Sequence, residues 1–240
     1  MQVQSKKSHL NKKKYQLLSW IILLLGIPIV ILLGVKLFND RKYNLISIII
    51  AFFACVPFFL QFERRKPRAR EVMVIAVMSA ISVTGRLIFA VLPGFKPVTA
   101  ITAITGIALG PETGFLTGAI SAIASNMFFG QGPWTPFQML SWGLMGFIAG
   151  ILGKFNIMQN KIILSLYGIF SGILYSLLMD IWFVLSIDGL FSWDKYIFAI
   201  ASALPFMVIY ALSNVFFLLL FSRPLGEKLQ RMKTKYGLME

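Results

Sequence analysis

Eight apolar runs follow one another along the chain, at roughly 16–38, 44–62, 71–92, 98–109, 113–129, 136–153, 162–185 and 197–221. About 20 residues at about 1.5 Å each cross about 30 Å of hydrocarbon, so most of these runs are long enough to span a bilayer as helices. The pattern predicts an all-α integral membrane protein. The run at 98–109 differs: it stops at Gly110-Pro111-Glu112 and predicts a half-length or strongly tilted helix, a form tolerated where protein covers the freed backbone groups.

Composition supports this. Of 240 residues, 58% are hydrophobic and 13% charged, with mean hydropathy +0.78. Soluble domains average about 45–50% apolar and about 25% charged residues, which excludes an ordinary cytosolic globule, a disordered tail and a collagen-like fibre. The single cysteine, Cys55, offers no disulfide or zinc framework, and the single histidine, His9, sits in a Lys-rich tail, so chemistry built on several histidines is excluded.

The net charge of +14 would suggest nucleic acid in a soluble protein, but the basic residues sort by loop. The tail before 16, the segment FERRKPRAR at 62–70, the loop holding Lys154 and Lys161, and the C-terminal segment together carry seventeen of the 23 Lys and Arg. Alternate loops carry only Lys36, Arg41, Lys42, Lys96 and Lys195, and Arg86 lies inside a run. By the positive-inside rule both termini are expected to be cytoplasmic, and no nucleic-acid partner is expected. The first run is too long for a signal-peptide core and lacks an A-x-A site, so it reads as a retained helix.

The chain changes character at 62–70. The two runs before it are rich in Ile, Leu and Phe, while Gly, Ala, Ser and Thr become frequent after it, as close helix packing requires. The expected organisation is a basic tail at 1–15, a two-helix extension at 16–62, a basic linker at 63–70, a six-helix core at 71–221 and a basic tail at 222–240. Within the core, small residues recur four apart: Ala76 and Ala80, Gly106 and Gly110, Gly114 and Gly118, Gly146 and Gly150, Gly168 and Gly172. Small side chains at this spacing let backbones approach, so each pair reads first as internal packing; a stripe left exposed would instead dock another membrane protein.

Polar residues placed by depth converge on the outer side. Arg86 falls in the outer third of its run, where a charge must pair, snorkel or face water. Asn126 and Gln138 flank the loop holding Gln131 and Trp134, and Asp180 lies in the outer part of the seventh run. Phe137, Trp142, Trp193 and Tyr196 lie near the outer loops. An interfacial aromatic belt accounts for each ring singly. It does not account for the Gly and Pro in the same loops, which with Arg86, Asn126, Gln131, Trp134, Phe137, Gln138, Trp142, Asp180 and Trp193 suggest the lid and floor of a ligand cavity.

Enzyme signatures are missing. There is no G-x-x-x-x-G-K-[ST] loop and no H-E-x-x-H. The topology separates Glu112, at the inner end, from Asp180, near the outside, so they cannot act as an acid pair. No internal repeat and no midplane carboxylate suggest a proton-coupled carrier. Neither cofactor nor metal is expected.

The stretch 71–153 resembles the substrate-binding S-component of energy-coupling factor (ECF) transporters. The features that carry the resemblance are Ala76-Val77-Met78-Ser79-Ala80 on the first core helix, the short second core helix, and the Gly-rich segment 110–118 leading into the third. The resemblance implies a six-helix bundle in a bacterial cell membrane that captures a vitamin-like small molecule from outside. It also implies a transmembrane coupling protein docked at Ala76 and Ala80, and two cytoplasmic ATPase subunits that drive import. The helices before 62 lie outside the common pattern. The loop at 129–139 resembles that of cobalamin-linked S-components, making cobalamin the first expected ligand, with riboflavin, a queuosine precursor or another heterocycle as alternatives. A strongly anionic ligand is disfavoured because Arg86 is the only cation embedded in a run. The reading of a different class is a structural or regulatory membrane protein with no transported ligand.

Overall fold

The computed structural model describes residues 43–64 and 67–238. The expected tail at 1–15 and first run at 16–38 lie outside the described residues. Seven α-helices are described: α1 Tyr43–Arg64, α2 Ala69–Ile88, α3 Val98–Leu109, α4 Pro111–Phe129, α5 Thr135–Gly153, α6 Lys161–Asp188 and α7 Trp193–Tyr236, with a 3-10 turn at Ile157–Gln159. Four of them, α2, α5, α6 and α7, are long and apolar enough to cross a membrane.

The run at 113–129 is helical but not among those four. Its polarity is turned inward: Thr113, Thr117, Ser121, Ser125 and Asn126 of α4 are all buried. Thr117, Ser121 and Ser125 each donate a hydroxyl bond to the carbonyl four residues back, so the hydroxyls are satisfied within the helix. A helix enclosed by its neighbours need not be apolar all round.

Helix α3 has 12 residues, and all but Ile107 are buried. It packs between α5 and α7, and its last turn gives way to α4 through Gly110, whose φ of 109° is a conformation that favours glycine. The Gly pairs at spacing four make these contacts possible. A Cβ on Gly106 would collide with the Gly146 carbonyl oxygen, and one on Gly118 would sit 2.5 Å from the Trp142 carbonyl. One on Gly172 would lie 2.5 Å from the Ala211 amide nitrogen, where α6 crosses α7. Apart from Gly110, the paired glycines pack against neighbouring helices, whereas Ala76 and Ala80 on α2 are exposed.

Helix α7 continues past residue 221, where the apolar run ends. It runs unbroken for 44 residues past Pro205 and Pro224. At about 1.5 Å per residue that is about 66 Å, roughly twice the hydrocarbon thickness, so its basic last turns project beyond the apolar layer. They are not a free tail: Leu229 and Leu238 are buried in one cluster with Val74, Met78, Met158 and Leu164, and Arg68 donates to the Gly237 carbonyl at 3.2 Å. The change from apolar to basic marks where the helix leaves the bilayer, not where it ends.

Candidate ligand site

The site begins with a helix that ends early. α2 stops at Ile88, and the chain returns through Phe89–Pro97 to open α3 at Val98. A Cβ on Gly85 would overlap the Pro97 ring, so glycine there lets the return fold tightly against α2. Ser213 of α7 fixes the loop from the other side: its Oγ accepts from the Lys96 amide at 2.8 Å and donates to the Lys96 carbonyl at 3.1 Å. Phe95 packs on Phe217, with ring centroids 5.0 Å apart. These contacts bring Arg86, Lys96 and the first turn of α3 together.

Arg86 is 7% exposed. Its guanidinium donates to Ser125 Oγ, and to Asn126 Oδ1 at 2.8 Å, and it lies over the rings of Phe129 and Trp142 at 4.6 and 5.0 Å. Insertion of an arginine at a helix centre costs about 2.5–3.5 kcal/mol. Hydrogen bonds to a charged group contribute about 1.5–3 kcal/mol each, and cation–π contacts about 0.5–2. These contacts offset the cost, so Arg86 is held as a buried cation by neutral groups. Behind it the polar chain continues: Asn126 Nδ2 donates to Gln138 Oε1 at 2.8 Å and to Thr135 Oγ1 at 2.9 Å, and Thr135 donates to Gln131 Oε1 at 3.0 Å.

In front of Arg86 is a cavity of about 130 Å³. Arg86, Gly94, Lys96, Val98 and Thr99 line it together with Gln138, Trp142, Tyr175, Tyr210 and Asn214. Trp142 stacks on Tyr175 with centroids 5.5 Å apart and planes 9° apart; Tyr175 meets Tyr210 edge-on at 5.2 Å. Asn214 is anchored by a bond from its Nδ2 to Ser171 Oγ at 3.0 Å. Lys96 is half-buried, with its Nζ 5.6 Å from the Phe129 centroid. Burial, and then the neighbouring Arg86 charge, hold its ammonium below the ordinary lysine range. Flat aromatic walls with a few convergent polar groups suit a small ring-bearing molecule.

The expected site residues divide accordingly. Arg86, Gln138 and Trp142 line the cavity, and Asn126 stands behind Arg86. Gln131 is exposed and bonds to the Ile123 carbonyl at 2.7 Å, joining the network only through Thr135. The Trp134 ring lies over Gly132 of its own loop. Phe137 turns into a separate apolar cluster with Ala51 and Leu185, 5.6 Å from Trp182. Trp193 is 69% exposed and packs on Phe191 and Tyr196, as an interfacial anchor does. Asp180 is buried but is not among the lining residues. The outer loops near 130–136 and 186–196 thus supply less of the cavity than expected, because their rings are used up in local packing. The helix-borne Tyr175, Tyr210 and Asn214 supply more. Their signal in the sequence is spacing: Ser171 with Tyr175, and Tyr210 with Asn214, place polar groups four apart inside apolar runs.

The model of the family described as "ECF-type riboflavin transporter, S component" matches residues 66–231, which include every cavity-lining residue. The chain belongs to this family. It is a family of transporter S components, not of enzymes, and its members are multi-pass membrane proteins. A UPF0397 protein of Aliivibrio salmonicida is 33% identical over 99 residues, covering 39% of this chain and 51% of the relative. One of Vibrio atlanticus is 29% identical over 110 residues, covering 42% and 60%. The chain thus spans between half and two thirds of the length of these curated relatives. No solved structure matches it. Cobalamin finds no support: the family's description names riboflavin.

Proposed function

We propose that this protein is the ligand-capturing subunit of an ATP-driven importer and that its ligand is a heterocyclic vitamin of the riboflavin type. The observation that carries the reading is the cavity itself: the stacked Trp142–Tyr175 pair, Tyr210 and Gln138 meeting Arg86 at one end of an apolar bundle. Stacked rings provide area for a planar molecule, and amide and hydroxyl groups fix its orientation. A volume of about 130 Å³ accepts one ring system's leading edge. A riboflavin-sized ligand needs more room than this, which a displacement of the 89–97 loop from α7 would supply at the cost of the two Ser213–Lys96 bonds.

The charge pattern supports a cavity that opens outward with both termini cytoplasmic, in a bacterial cell membrane. The exposed Ala76 and Ala80 provide the small-residue face on which a transmembrane coupling protein would seat, with two cytoplasmic ATPase subunits completing the importer. Calorimetric titration of the purified chain with riboflavin tests the proposal. The expected result is one-to-one binding at micromolar affinity or tighter. Absence of binding by riboflavin and by other heterocyclic vitamins would favour a structural or regulatory role.

A further inference from the structure

The electrostatics of the cavity are one-sided. Arg86 and Lys96 both line it, and no carboxylate is among the lining residues. Arg86 Nε, buried, has no hydrogen-bond partner. The third positive element is the start of α3, whose Val98 and Thr99 form part of the wall. First-turn amides have no acceptor within their own helix, and the N-terminal end of the helix dipole favours negative charge. Asp180, the nearby buried acid, interacts with Tyr210 and Tyr196 from outside the lining and does not pair with either cation among the described bonds. The expectation that an anionic ligand is disfavoured rested on Arg86 alone, and Lys96 is a second cation at the cavity. That expectation counted only cations inside apolar runs, and the loop fold adds Lys96.

Building on the capture reading, we infer that the ligand carries an anionic group, a carboxylate or phosphate ester on a planar heteroaromatic body. The anionic group lies between Arg86, Lys96 and the start of α3, and the ring lies against Trp142 and Tyr175. Neutral amides and hydroxyls hold Arg86, but among the described residues no carboxylate bonds to Arg86 or Lys96. An anion would compensate both. A charge-assisted bond is roughly twice as strong as a neutral one, so the anionic member of a matched ligand pair gains most here.

Two matched pairs test this on the full purified chain: riboflavin with its 5′-phosphate ester, and nicotinamide with nicotinate. In each pair the ring is constant and the charge differs. The expected result is that the anionic member of at least one pair binds tenfold or more tightly than the neutral one, and that Lys96→Gln brings the ratio to threefold or less. Lys96→Gln keeps the backbone bonds to Ser213, so it tests charge without removing the loop's anchor. Equal or tighter binding of the neutral member in both pairs would overturn the anionic assignment and leave the capture reading standing. A preference unchanged by Lys96→Gln would overturn the role of this cation pair. Failure of all four molecules to bind would overturn the capture reading and this inference with it.

Discussion

Arg86 of α2 donates to Asn126 Oδ1 of α4 at 2.8 Å, and the other end of the same amide donates to Gln138 Oε1 at 2.8 Å. One side chain, 1% exposed, thus ties the buried cation to the aromatic wall. Asn126→Ala leaves Arg86 with one fewer acceptor and Gln138 with one fewer donor. Leaving a buried polar group unsatisfied costs about 1–3 kcal/mol, so a stability loss in that range is expected, along with weaker ligand binding. Asn126→Asp instead gives Arg86 a charged partner. It should retain more stability than the alanine variant while binding ligand poorly, as thermal denaturation in detergent and a binding titration would measure.

The helix crossings depend on missing side chains. In Gly146→Ala the new methyl group would collide with the Gly114 carbonyl, where neither backbone can yield without moving a helix. Overpacking a core costs about 1–3 kcal/mol, and a backbone obstacle places this site at or above the upper end. Gly226→Ala, at a position with nothing near its Cβ, should be neutral or slightly stabilising in the same denaturation series.

Exposed alanines should behave in the opposite way. Ala76→Trp together with Ala80→Trp adds two large side chains at exposed positions of α2. The double variant is expected to fold, and to bind ligand as the parent does, but to fail to copurify with the coupling protein. Retained copurification would move the docking surface elsewhere.

Asp180 provides a fourth prediction. Its Oδ2 is buried without a hydrogen-bond partner, and the residue is 8% exposed. Ser176 hydrogen-bonds the carboxylate, but burying a charged group with one oxygen unpartnered is costly, and an amide of the same shape is less so. Asp180→Asn should therefore raise the denaturation midpoint by several degrees, equivalent to about 1 kcal/mol or more, with little effect on ligand affinity. Loss of binding without a gain in stability would place Asp180 in direct contact with ligand.

Much of this arrangement is legible in the sequence because the physics behind it is local. Gly110-Pro111 ends α3 at the predicted residue, since glycine at positive φ followed by proline cannot continue the same helix. Arg86 is visible as a charge with no water nearby, and Asn126 and Gln138 as amides at matching depth. What the sequence conceals depends on tertiary approach. Lys96 reads as an ordinary loop lysine until the Gly85–Pro97 contact and the Ser213 clamp fold it over Arg86. Trp134 and Trp193 look like cavity walls from their loops, but one ring lies over Gly132 and the other packs on Phe191. The end of α7 is hidden for another reason: hydropathy records where a helix leaves the apolar layer and is silent about the turns beyond it.

The central claim is that the space between Arg86 and the Trp142–Tyr175 stack holds a small heteroaromatic molecule. Mass spectrometry of the small molecules released on denaturing the purified chain, alongside a Lys96→Gln, Tyr175→Phe double variant, tests it most directly. The account predicts about one equivalent of a heteroaromatic compound from the parent chain and a severalfold lower yield from the variant. An empty parent chain that also takes up none of the four probe molecules would contradict it.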